Sequence, residues 1–299
     1  MTESVAAAPV LEVTGAPLQR RPIVVLARRA WRQWRTRVGV ALVLLLVGTA
    51  LIGPLFAPHS PSEFVGVPNG GPSSAASLGT DNLGRDILSR FLWGGRSILG
   101  LSLAATAIGL FLGVAIGLVA AYARSVLDDV LMRAMDIILA FPSIVLALVV
   151  VATVGPKLWL IVLVVGITTM PRVARVIRGA ALEIVERDYV RAAEAIGEPR
   201  RRILAGEVMP NVMGPLMVET SLRLTYAIGI IASLSFLGFG LQPPAADWGL
   251  MINENRLALT LHPWGVVTPV VAIALLTIGT SLIGDGFARA SAGVDRRSD

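Results

Sequence analysis

The chain has no cysteine in its 299 residues. Disulfides, thiolate metal sites and a cysteine nucleophile are therefore excluded, and cysteine usage says nothing about the redox compartment. Histidine is nearly as scarce: His59 and His262 stand far apart, each beside a proline, and build no histidine metal site. Only Lys157 of the 26 basic residues is a lysine. It sits in Gly-Pro-Lys-Leu, so the Gly-Lys-Ser/Thr ending of a phosphate-cradling loop is missing. Charged residues make up 15% of the chain, where a soluble domain carries roughly 25%.

Apolar residues fill the space left by these absences. Hydrophobic residues account for 55%, and the mean hydropathy is +0.73. With glycine counted in, the share is about 64%, against roughly 45–50% in soluble proteins. A soluble enzyme, a disordered chain and a coiled coil are thereby excluded, and a polytopic membrane protein remains. A hydrocarbon core about 30 Å thick takes about 20 apolar residues per helix. Six stretches qualify, at about 38–57, 97–122, 134–154, 157–176, 214–240 and 264–284. The short alternating segments of a membrane barrel are missing, so the expected fold is all-α with six transmembrane helices. Pro142 and Pro171 predict kinks in the third and fourth spans. Gly109, Gly113 and Gly117 give the second span a small face, expected to receive a partner helix from another chain.

Arginine placement sets the orientation. Arg20, Arg21, Arg28, Arg29, Arg32, Arg35 and Arg37 precede the first span. Arg172, Arg175, Arg178, Arg187, Arg191, Arg200, Arg201 and Arg202 crowd the connection between spans four and five. The 3–4 and 5–6 connections carry only Lys157 and Arg256. Both termini and the 4–5 connection are therefore expected in the cytoplasm. The pI near 10.8 then signals topology rather than nucleic-acid binding. The expected divisions are a cytoplasmic arm at 1–37, the first span at 38–57 and an extracytoplasmic loop at 58–96. A five-helix core at 97–290 follows, with a cytoplasmic loop at 179–210 inside it, and then a tail at 291–299. Residues 1–22 have no helical period and read as disordered, and no secretory signal peptide is expected. The segment RRAWRQWRTR, with Trp31 and Trp34 among arginines, reads as an interfacial collar on anionic lipid.

The 4–5 connection reads ALEIVERDYVRAAEAIGEPRRRILAGEVMPN. Helix formers with an apolar stripe at Val185, Tyr189, Ala192, Ala193 and Ile196 run into Gly197, which suits a left-handed stop. Pro199 suits the first position of a second helix, about 199–208, ending before Pro210. Arg191-Ala192-Ala193, then Gly197, then Pro210 thirteen residues later, resembles the cytoplasmic signature of ABC-importer permeases. That signature runs Glu-Ala-Ala, three residues, Gly, nine residues, Ile, one residue, Leu-Pro. Here Arg191 replaces the Glu, as is usual in the peptide and nickel branch, while Glu207 and Met209 depart from the Ile and Leu positions. Further blocks resemble the C-type subunit of that branch: LGTDNLGRDILSRFLWGGR at 78–96, AFP at 140–142, SFLGFGLQPPAADWGLMI at 235–252 and PWGVVTPVVAIALLTIGTSLIGDGFARA at 263–290.

The chain is thus identified as a member of the dipeptide/oligopeptide/nickel permease family, and the resemblance implies the type I importer fold. It implies a bacterial inner-membrane protein that is no enzyme itself and forms half of a translocation pore. The implied partners are a B-type sister permease, one or two ATPase subunits carrying ATP and Mg, and an extracytoplasmic substrate-binding protein. Tyr189, Arg191, Ala192, Ala193, Gly197, Pro199 and Pro210 are the implied ATPase-coupling residues. From the residues themselves, Glu219 and Arg223 sit four apart in the fifth span and pair along one face. With Thr220, Tyr226 and Ser233 they are candidates for the translocation path, since charges in spans face protein or water. Arg133 and Asp136 are expected to pair at the start of the third span. The loop at 241–262 is expected to present Asp247, Trp248, Glu254 and Arg256 to the binding protein. Peptides are the leading substrate, with nickel or another small solute as the alternative inside the family and a non-transporting scaffold or receptor outside it. No metal or catalytic residue and no nucleic-acid partner is expected.

Overall fold

The structure, a computed structural model, describes residues 22–295; the expected disorder of 1–22 falls almost wholly outside them. The arm opens with α1 (Pro22–Trp31), a two-residue break, and α2 (Trp34–Ile52). A lobe of turns at 53–86 follows, called outer for the side the arginine bias predicts, and α3 (Ile87–Ala123) leads into α4 (Val126–Leu139), α5 (Ser143–Val154) and α6 (Leu158–Val185). The 4–5 connection holds α7 (Asp188–Ala195), α8 (Arg200–Ile203) and α9 (Met209–Asn211), and α10 (Met213–Phe236) returns through the bundle. A short α11 (Trp248–Asn255) precedes α12 (Trp264–Asp295).

Among the described residues, five helices are long and apolar enough to cross a membrane, and a sixth span exists only if α4 and α5 are taken together. These two meet at 77°, so the expected straight third span over 134–154 is corrected to a pair of helices bent at their junction. Pro142 is the cause: it stands at the N-cap of α5, and Phe141 before it is pushed out of helical geometry. Pro171, by contrast, lies inside α6, which continues to Val185. The second span also starts earlier than expected, because Asp86 caps α3, accepting from the Ser89 amide at 2.9 Å and more distantly from that of Leu88.

The Gly109/Gly113/Gly117 face does pack a helix, but one of the same chain. A Cβ added at Gly113 would lie 2.6 Å from Val173 Cβ and 2.8 Å from the Met170 carbonyl oxygen. At Gly117 the Ala174 carbonyl oxygen would be 2.6 Å away. The expectation of a partner chain at this face is therefore corrected: α6 occupies it. The first and last long helices cross in the same manner, with a Cβ at Gly39 reaching within 2.7 Å of the Gly279 carbonyl oxygen. Gly113→Ala should overpack this contact and cost about 1–3 kcal/mol, lowering the unfolding midpoint in detergent by several degrees. Gly100→Ala on the same helix, where a Cβ meets nothing within 4 Å, should leave the midpoint unchanged or raise it.

Two anchors shape the ends of the bundle. At the outer end, Trp248 is fully buried, stacks on Phe91 at 5.6 Å and donates its indole N–H to the Phe91 carbonyl at 2.9 Å. At the opposite end, Leu26 and Ala30 of α1 pack with Met217 of α10 and Phe287 and Ala290 of α12. The arm, the far part of α12 and the connection into α10 therefore share one end of the molecule. Trp31 and Trp34 are exposed there, as an interfacial collar requires.

Candidate functional site

The loop between α6 and α10 is built on a firm mount. Val190, Ile203, Val208 and Val212 are completely or almost completely buried, in one cluster with Val173 and Ile177 of α6. Asp188 lies in the first turn of α7, where a negative charge favours the helix. The helix stops as expected. Gly197 has φ +81°, its amide donates to the Glu194 carbonyl at 3.0 Å, and the Glu198 amide donates to the Ala193 carbonyl at 3.1 Å. This nested pair of bonds satisfies the last carbonyls of α7 and requires the left-handed residue between them.

The second arm differs from expectation in two ways. Pro199 is the N-cap of α8 rather than its first residue, with its carbonyl accepting from the Arg202 amide at 2.8 Å. The helical path also runs on through Pro210 to Asn211, with a π-turn at Leu204–Val208 just before it. A widened turn there relieves the clash and the missing amide that proline brings to a regular helix. Asn211 then donates to the Glu207 carbonyl at 2.6 Å and, more weakly, reaches the Tyr189 hydroxyl at 3.4 Å, linking the two arms. Desolvation, with the Glu207 carboxylate next, raises the Tyr189 phenol above its ordinary value, so it stays protonated and neutral.

The apolar stripe divides accordingly. Val185 faces the mount and Ala193 is half-buried, whereas Tyr189, Ala192 and Ile196 are exposed; Ile196 is 79% exposed. The inward anchor is Val190, which the stripe left out. Arg191, Arg200, Arg201 and Arg202 are exposed around this face.

Inside the bundle, Glu219 and Arg223 pair at 2.9 Å as their spacing predicts, and both are buried. Thr220 and Ser233 donate to carbonyls of their own helix, at Leu216 and Gly229. Tyr226 is 51% exposed, with the Arg223 and Arg172 guanidinium carbons 5.2 and 5.6 Å from its ring centre. Asp136 does not pair with Arg133. It meets Arg175 of α6, while Arg178, one turn on, grips Asp128 with two bonds of 2.5 and 2.6 Å. No spacing signal marks these contacts between helices.

The outer loop is corrected most. Asp247 and Trp248 are buried, Glu254 is 9% exposed at its side chain, and Arg256 alone of the four is exposed. Asp247 caps α11 and accepts from Ser235 and from Ser97. Glu254 meets Arg90 at 2.6 Å and Arg85 at 3.1 Å, and both arginines also meet Asp81. These groups hold the outer lobe to α3 and α11; they do not form an exposed patch.

Comparison with known proteins agrees with this architecture. The family of binding-protein-dependent transport system inner membrane components matches residues 113–293. A putative peptide transport system permease protein of Brucella suis is 36% identical over 89% of this chain and 90% of its own length. The glutathione transport system permease protein of Pectobacterium atrosepticum is 37% identical over 87% and 88%. The di/tripeptide transport system permease protein of Pseudomonas aeruginosa is 38% identical over 83% and 84%. A chain of the inward-facing MetNI methionine ABC transporter superposes with a TM-score of 0.55 at 19% identity, covering 68% of this chain and 96% of that one, which shows a shared fold. With similarity over most of its length, the chain belongs to the family of binding-protein-dependent transport system inner membrane components: it is an inner-membrane permease subunit of an ABC importer, and not itself an enzyme.

Proposed function

We propose that this subunit forms half of the pore of an ATP-driven importer of di- and oligopeptides, and that α7 is its contact with an ATPase subunit. One observation carries the coupling role. Tyr189, Ala192 and Ile196 present an uncovered apolar face, while Val190 on the same helix is locked into the bundle. A helix so mounted passes a push on its outer face into α6 and α10 as a rigid-body movement. The small Ala192 side chain admits close approach, and Gly197 sets the angle of the helix. ATP and Mg belong to the partner ATPase in this reading, and a sister permease supplies the other half of the pore. The arginine bias supports a cytoplasmic position for this end, which would turn the outer lobe, with Arg256, toward a binding protein. The peptide substrate is favoured by the relatives named for peptide and di/tripeptide transport.

The test uses the absence of natural cysteine. Ala192→Cys in the assembled transporter should crosslink to a cysteine in the ATPase cleft, and the yield should change with nucleotide. Crosslinking to the periplasmic binding protein instead, or copurification with no ATPase at all, would refute both the coupling role and the orientation.

A further inference from the structure

The pairing pattern of α6 and α10 leaves one arginine over. Along α6 and α10, Arg175 has Asp136, Arg178 has Asp128 and Arg223 has Glu219. Among the described residues, Arg172 has no carboxylate within ion-pair distance, and it is exposed. It stands near the middle of α6, about 20 Å from either end at 1.5 Å per residue. Its guanidinium lies over Tyr226, which is near the middle of α10. On the other helix, Arg223 also approaches the Tyr226 ring, and its Nη1 is buried with no hydrogen-bond partner. An exposed arginine at this depth is costly in hydrocarbon and belongs on a face that meets water or protein.

We propose that Arg172, held over Tyr226 and backed by Arg223, is a midway station that takes the carboxylate of the passing substrate. The proposal deepens the peptide-importer reading and rests on it for the identity of the substrate. The chemistry is specific. A guanidinium accepts a carboxylate through two parallel N–H donors, and an aromatic face beneath it holds the plane. The Tyr226 hydroxyl adds a further donor. Glu219 balances only one of the two guanidinium charges, so the station has a net positive field and repels the ammonium end of a peptide. A peptide would therefore pass oriented, its carboxyl end seated here.

The test reads local charge and transport separately. Leu222, exposed one turn before Tyr226, is replaced by cysteine in the assembled transporter, and variants that retain uptake are used. The thiol is treated with a sulfonate and with a trimethylammonium methanethiosulfonate. Both should react, and Arg172→Gln should lower the anion-to-cation rate ratio roughly tenfold, since one unit charge acts on the two reagents with opposite sign. Arg172→Lys should keep the ratio. Dipeptide uptake should fall about tenfold in Arg172→Gln, with partial recovery in Arg172→Lys. No reaction with either reagent in any nucleotide state, or a ratio that ignores Arg172, overturns the station. So does an Arg172-dependent ratio with dipeptide uptake unaffected by Arg172→Gln. If the ratio follows Arg172 but the unaltered transporter moves no dipeptide, the peptide reading falls and an oxyanion station for another substrate remains.

Discussion

Replacing Gly197 by valine is expected to leave the protein in the membrane and to cut ATP-driven uptake at least tenfold. Gly197 holds φ +81° between two hydrogen bonds that close α7. A Cβ there meets nothing within 4 Å, so crowding by neighbours is not the obstacle. The backbone is: a β-branched residue in this region costs roughly 1–2 kcal/mol or more. The cheapest relief is to unwind the turn, which swings Tyr189, Ala192 and Ile196 away from the proposed ATPase contact. The long helices do not share the strain, so insertion should survive. Gly197→Asn should behave nearly as the parent, because asparagine tolerates the left-handed region. Arg191→Glu, which gives the wider family's residue at an exposed position, should also be tolerated. Uptake and stimulated ATP hydrolysis by the reconstituted complex, normalised to protein in the membrane, check the result. Full coupling in Gly197→Val would mean that this turn does not aim the contact.

Glu254→Ala should be the most destabilising single change at the junction of the outer lobe with α11, costing about 3–5 kcal/mol. Arg85 and Arg90 are 2% and 0% exposed, and they share Asp81 and Glu254 between them. Deleting Glu254 leaves two buried cations facing one carboxylate, with Arg90 Nη2 deprived of its 2.6 Å partner. Arg85 and Arg90 have little access to water while the lobe is closed, so the lobe should open more readily. The prediction is a lower unfolding midpoint in detergent and faster proteolysis of the 58–86 segment. The double change Arg90→Met with Glu254→Leu removes one charge of each sign and should recover much of the loss, because an apolar replacement avoids the desolvation penalty. A Glu254→Ala protein as stable as the parent would show that solvent or a neighbouring group already neutralises the arginines.

What could be read from the sequence was whatever depends on near neighbours. Apolar length located five long helices, because burial in lipid acts on each segment by itself. The Glu219–Arg223 pair follows from four-residue spacing on one helix, and the stop at Gly197 from a single residue's conformational range. Contacts between distant segments were not legible. Arg133 and Asp136 have a spacing that allows pairing, yet Asp136 turns to Arg175 on α6. Asp247, Trp248 and Glu254 read as surface because loops are usually polar and exposed. They are buried because the first turns of α3 supply their partners: Arg90, the Phe91 carbonyl and Ser97. In the sequence Arg172 is one more topological charge, and only the pairing of its neighbours sets it apart.

The bend between α4 and α5 has a consequence for the order of synthesis. Residues 134–154 leave the ribosome as a continuous apolar stretch of ordinary span length, and membrane insertion responds to that hydropathy. Pro142 permits a break, but the direction of the first half is held by Asp128 and Asp136 on Arg178 and Arg175. Those arginines belong to α6, which has not yet been made when the stretch emerges. The nascent third span is thus threaded before these two anchors exist, with its packing on Leu112 and Ile116 of α3 as the earlier-made support. Maturation of this fold is consequently expected to include a step after insertion, in which a segment already committed to the bilayer gains its hold from later-born charge.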